Sequence, residues 1–254
     1  MPAFAGMTMR KSRFCERLGT QAGYWPGMLR AVIFDFNGVI VNDEPIHFEL
    51  FRRVLREQGL HLTEKDYYAR YLGMDDRGCF SAAFRDQGKE LSEERLAALV
   101  ERKADYYRRE IRDKISLFPG VQGLVSELAE KFPLAIASGA LRHEIELILS
   151  TAGLRRFFSA IVSAEDVIEG KPAPEIFLKT LARLNSGNTG RPIAPAECLV
   201  IEDSKEGIRG AAGAGMKCLA VANSHPAEQL KDADAVVQSL EKVDLPLLYR
   251  LFSQ

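Results

Sequence analysis

The chain has 254 residues, 46% of them hydrophobic and 27% charged, with a formal net charge of -1. That size suits one large domain, or a core with a smaller inserted one, and the near-neutral balance offers no basic footprint for nucleic acid or an anionic membrane. The four cysteines (Cys15, Cys79, Cys198 and Cys218) form no C-x-x-C pair and have no histidine cluster beside them, which speaks against zinc and disulfides and for a reducing cytoplasm.

The opening stretch, residues 1–28, carries Arg10, Lys11, Arg13 and Arg17 against one acid and shows no sustained period. It lacks the apolar run of a signal peptide. A disordered extension is expected, or a start codon read too early, since Met28 directly precedes the first strand; a targeting presequence is the alternative. No apolar run approaches the roughly 20 residues that span a bilayer.

Short apolar runs then alternate with amphipathic segments. Strands are expected at Ala31–Phe34, Leu134–Ser138, Ala160–Ser163, Cys198–Ile201, Lys217–Val221 and Ala235–Val237. Helices are expected at Val121–Lys131, Arg142–Thr151, Pro174–Leu184 and Lys205–Ala214. Such repetition predicts an α/β fold, a doubly wound parallel sheet with helices on both faces. From Glu44 to Lys114 the strand signal vanishes and helical periods such as "HFELFRRVLREQG" take over. A helical insert over 47–114 is expected, with 29–46 and 115–254 forming the core.

Ligands of such sheets sit at the carboxyl ends of the strands, and the chemistry-bearing residues fall there. Asp35 ends "AVIFD", a place for a nucleophile or a metal ligand as well as for a simple turn or helix cap. Glu202 and Asp203 end "LVIED"; two strand ends supplying acids suit magnesium, although Asp203 could also cap the next helix. Ser138-Gly139 offers a hydroxyl and amides to an oxyanion. Lys171, in "EGKPAPEIF", could balance the charge of phosphate and carboxylate together.

In this order, "DFNG", "ASG", "GKPAPEIF" and "IEDSKEGIRGAAGAGM" resemble the haloacid dehalogenase superfamily, especially the branch of β-phosphoglucomutase and sugar-phosphate phosphatases. The resemblance covers about residues 30 to 240 and implies a core with a helical cap. It implies that Asp35 takes the phosphoryl group, with Ser138 and Lys171 holding its oxygens. It further implies Mg2+ held by Asp35, Glu202, Asp203 and the backbone carbonyl of Asn37. "YLGMDDR" is similar to the cap loop whose arginine grips substrate, which makes Arg77 the candidate. Gly139 and His47 are further candidates for substrate contact.

Two positions depart from that pattern. The family's phosphatases and mutases carry Asp where this chain has Asn37, and often Asp where it has Asn42. An amide can hydrogen-bond the leaving oxygen but cannot carry its proton, a loss of roughly 10²–10⁴ in rate. The expected protein is therefore a slow Mg2+-dependent phosphomonoesterase acting on a small phosphorylated metabolite, with a sugar phosphate favoured. The alternatives are a phosphosugar mutase and a phosphosugar-binding protein with little turnover. Dehalogenases lack the Glu202-Asp203 pair. Phosphonatases use a cap lysine, and neither Lys65 nor Lys89 has a context that marks it as desolvated.

Overall fold

The computed structural model describes residues 28–72 and 74–253; residues 1–27 of the expected extension lie outside them. Six strands form one sheet: β1 (Ala31–Phe34), β2 (Leu134–Ala137), β3 (Phe158–Val162), β4 (Cys198–Glu202), β5 (Lys217–Val221) and β6 (Ala235–Val237). Their spatial order is β3-β2-β1-β4-β5-β6, and every pairing is parallel. The chain winds outward from β1 to β3, then crosses back to β4 and winds the other way. The switch point therefore lies between the carboxyl ends of β1 and β4, where a doubly wound sheet opens a crevice.

Outside the insert, the helices are α5 (Val121–Ala129), α6 (Arg142–Thr151), α7 (Glu175–Ser186), α8 (Lys205–Gly213) and α9 (Leu245–Leu251). Val32, Phe34, Leu134, Ile136, Leu199 and Ile201 pack with apolar residues of α5, α6 and α9. Their sequence neighbours Ala31, Ile33, Ala135, Ala137, Cys198 and Val200 turn to α7 and α8. Both faces being covered, β1 is apolar at every position. All six expected strands and all four expected helices are present, with ends shifted by at most two residues.

Between β1 and α5 lie α1 (Glu44–Glu57), α2 (Glu64–Asp66) with a π-helical turn at Tyr67–Tyr71, α3 (Asp76–Asp86) and α4 (Glu93–Lys114). These helices bury a separate apolar cluster that includes Phe48, Phe51, Val54, Phe80, Phe84 and Leu99. A cluster of its own lets the insert hold its shape beside the crevice. Among the described residues, no helix is long and apolar enough to cross a membrane.

Candidate active site

Asp35 is the first residue past β1. Its backbone N–H donates to the Ile201 carbonyl at 2.9 Å, so the ladder to β4 runs one residue further and fixes the carboxylate's origin. The chain then turns at Gly38, whose φ is 78°. A Cβ at that position would overlap the Asp203 carboxylate. Glycine is what lets this loop close over the end of β4.

From β4 come Glu202 and Asp203. Glu202 is fully buried. Its Oε2 accepts from the backbone N–H groups of Asp203 (2.9 Å) and Ser204 (3.0 Å) and from the Ser204 hydroxyl (2.9 Å). Its Oε1 accepts from Lys171 Nζ at 2.6 Å, and the same ammonium lies 2.7 Å from Asp35 Oδ1. Asp203 accepts a hydrogen bond from the Ser224 hydroxyl. Oxygens of Asp35, Glu202 and Asp203 lie within 4.8 Å of one another.

Burial pushes the Asp35 carboxyl up to about 6, more than the Lys171 ammonium pulls it down. Asp203 is raised well above the usual carboxylate range, first by burial and then by the charges of Glu202 and Asp35. Burial works against the charge of Lys171, yet Asp35 and Glu202 together hold its pKa above the ordinary value. Three buried carboxylates share one ammonium, so the cluster is short of positive charge. Hard oxygen donors in that state fit Mg2+, which takes a few carboxylates and completes its shell with water and phosphate.

A cavity of about 630 Å³ opens over this cluster, lined by Asp35, Asn37, Ser138, Gly139, Lys171 and Asp203 from the core. The insert contributes His47 and Arg77 to the same walls. Glu202 is the one candidate absent from the lining; both of its carboxylate oxygens are engaged, one by Lys171 and the other by the start of α8, within the same acidic cluster. Ser138 is held by its N–H to the Val162 carbonyl (3.0 Å), and its hydroxyl accepts from Ala140 N at 3.1 Å. Arg77 is half exposed and pairs with Glu93 on α4.

The structure adds Asp43, Tyr107 and Lys103 to the candidates. Asp43 is buried, and its Oδ2 meets Asn37 Nδ2 (2.7 Å), His47 Nε2 (3.1 Å) and the Tyr107 hydroxyl (2.8 Å). Burial alone would raise the Asp43 pKa, but its hydrogen bonds and the nearby His47 outweigh that and hold it below its ordinary value. His47, stacked on Tyr107, is pinned on its other side by Lys103 Nζ, 2.8 Å from Nδ1. Lys103 is 1% exposed and pairs with Asp76 Oδ1 at 2.5 Å. Among the described residues of the insert Lys103 is buried, whereas Lys65 and Lys89 are exposed. The Lys103 Nζ is engaged by the Asp76 carboxylate. A signal existed: Lys103 sits in the apolar stripe Leu96, Leu99, Lys103, Tyr107, Ile111 of α4.

Residues 32–221 match the family profile of haloacid dehalogenase-like hydrolases. The chain is 31% identical over 190 residues to a phosphorylated carbohydrates phosphatase of Thermotoga maritima, covering 74% of this chain and 83% of that one. It is 29% identical over 238 residues to a chloroplastic 5-amino-6-(5-phospho-D-ribitylamino)uracil phosphatase of Arabidopsis thaliana, covering 93% of this chain. The matched region is 59% of that relative's length. Among solved structures, a β-phosphoglucomutase of Clostridium difficile superposes with a TM-score of 0.74 at 25% identity, covering 89% of this chain and 97% of that one.

Proposed function

The chain belongs to the haloacid dehalogenase-like hydrolases, and from that membership we propose that it is a Mg2+-dependent phosphomonoesterase of small phosphorylated carbohydrates. The observation that carries this reading is the meeting of Asp35, Lys171 and Asp203 at the floor of one cavity, at the switch point of the sheet. Relatives named as phosphatases of phosphorylated carbohydrates and of fructose 1-phosphate support the substrate class.

In this mechanism a carboxylate oxygen of Asp35 attacks phosphorus, and the ester P–O bond breaks with its electron pair leaving on the departing oxygen. Water then attacks the aspartyl phosphate, releases inorganic phosphate and returns the Asp35 carboxylate. Ser138 and Lys171 hold the phosphoryl oxygens, with Gly139 beside them. Asp35, Asp203 and the backbone carbonyl of Asn37 would hold the metal, with Glu202 in the same acidic cluster, where it also fixes Lys171 and the start of α8. When bound, Mg2+ supplies the charge neutralisation on which phosphoryl transfer chiefly depends. Residues 47–114 act as the cap, with Arg77 and His47 facing the part of the substrate that is not transferred.

The test is a screen of phosphorylated metabolites with Mg2+, repeated after chelation and with Asp203→Ala. Phosphate release from at least one sugar phosphate is expected, abolished by either treatment while the fold persists. Full activity after exhaustive chelation would remove the metal from this account. Retention of the phosphoryl group on an isomerised sugar would mark the enzyme as a mutase.

A further inference from the structure

Asn37, Asp43, His47 and Lys103 form a chain of hydrogen bonds whose directions are fixed by chemistry. An ammonium only donates, so Lys103 Nζ donates a hydrogen bond to His47 Nδ1 across 2.8 Å. That puts the ring proton on Nε2, which donates to Asp43 Oδ2 at 3.1 Å. The Tyr107 hydroxyl donates to the same oxygen at 2.8 Å. An ionised carboxylate accepts only, so the Asn37 group facing it at 2.7 Å is the NH2. The planar amide then sets its carbonyl oxygen on the other side of Cγ, and Asn37 lines the cavity beside Asp35.

We propose that Asp43 is a positioning residue that acts through Asn37, turning the amide so that its Oδ1 serves the cavity as a hydrogen-bond acceptor. An acceptor beside the aspartyl phosphate orients the incoming water by accepting a hydrogen bond from one of its O–H groups. It gives no proton to the leaving oxygen. The site is thereby matched to phosphate esters whose leaving group departs as a stable anion, such as aryl, enol or anomeric oxides, and poorly matched to plain alkyl phosphates. Asp43 is 2% exposed and outside the cavity lining, so it reaches the reaction through the lining groups it holds, Asn37 and His47, and the Asn37→Ala background separates the two. This inference rests on the phosphoryl-transfer reading above.

The experiment is a double-mutant cycle on an aryl phosphate with Mg2+, reading the burst of aryl oxide and the steady-state rate separately. The burst reports capture by Asp35; the steady state reports hydrolysis of the aspartyl phosphate. Asp43→Asn frees the amide to present either end, and loss of one orienting hydrogen bond predicts a steady-state rate about tenfold lower with the burst rate kept. In an Asn37→Ala background the same substitution is expected to change the rate by less than about twofold, because its target is gone. A tenfold loss in both backgrounds, or an equal fall in burst and steady state, would make Asp43 a structural residue and overturn the proposal. An unmutated chain with no metal-dependent release of aryl oxide overturns the phosphoryl reading and this inference with it; metal-dependent release with additive losses, or with no slow second step to orient, overturns this inference alone. If Asp43→Asn fails to fold, the amide of asparagine-labelled unmutated chain decides. One Asn37 side-chain proton protected from exchange supports the assignment, and two freely exchanging protons contradict it.

Discussion

An amide at position 37 faces a carboxylate six residues further on, at Asp43. The pairing changes what restoring the missing acid can achieve. Asn37→Asp places a second carboxylate against Asp43 Oδ2, where Nδ2 now sits at 2.7 Å. Like charges at that separation repel strongly, so the full gain of roughly 10²–10⁴ from an added acid–base group is not expected from this change alone. Asn37→Asp/Asp43→Ser removes the repulsion, and its hydroxyl can accept from His47 while donating to the new acid. The double variant is expected to hydrolyse an alkyl phosphate faster than the single one and to melt higher. Steady-state rates and melting curves check this, with intact-mass control because Asn37-Gly38 can deamidate to the acid unaided. A single variant equal to the double one would show that Asp43 does not constrain position 37. From sequence, the acids at Asp35, Glu202 and Asp203 were legible because each ends an apolar run. Asp43 was not, since an acid before a Pro-started helix reads as a cap; its i,i+4 spacing to His47 becomes informative only once α4 brings Tyr107 and Lys103 alongside.

At the scale of elements, the strands were legible because a central parallel strand is apolar throughout. Their ends were less so. β3 starts two residues earlier than the apolar run suggests, because exposed Ser159 interrupts the pattern without interrupting the ladder. The expected strand through Ser138 stops at Ala137, yet Ser138 N still bonds to the Val162 carbonyl, which is how that hydroxyl is aimed at the cavity. The α8 segment shows a different kind of information. Its Gly207 looks like one of several small residues in "EGIRGAAG", but a Cβ there would overlap the Glu202 carboxylate. That carboxylate is held by Lys171, Ser204 and the Asp203 N–H, so it has no slack in which to move. Gly207→Ala is expected to displace Glu202, loosen Lys171 from Asp35 and lower kcat at least about tenfold, the scale of losing a charge-assisted hydrogen bond. Unchanged kinetics and an unchanged melting temperature would show that the α8 start yields more easily than this packing implies.

For the whole molecule, the parallel sheet and the insert's helical character followed from alternation and periodicity, whereas the switch point depended on the strand order and the relation between insert and core on α4 carrying Tyr107 back to Asp43. What this assembly creates at its centre is a deficit of positive charge. The folded Asp35 pKa lies near 6 against an ordinary 3.8, and Asp203 is raised as well. A carboxyl with a raised folded pKa holds its proton more tightly in the native state, so its stabilising contribution is present below about 3.8 and is lost as pH rises through about 6. Groups such as Asp43 and Asp166, whose pKa values are lowered, act in the opposite sense at lower pH, which makes absolute stability a poor readout. The difference made by metal is a better one, because bound Mg2+ requires the ionised carboxylates and removes their mutual repulsion. The rise in melting temperature on adding Mg2+ is therefore expected to be small at pH 5 and larger at pH 7, with Asp203→Ala reducing it at both. A metal-induced shift that is equal at the two pH values, or that survives Asp203→Ala intact, would place the metal away from Asp35 and Asp203.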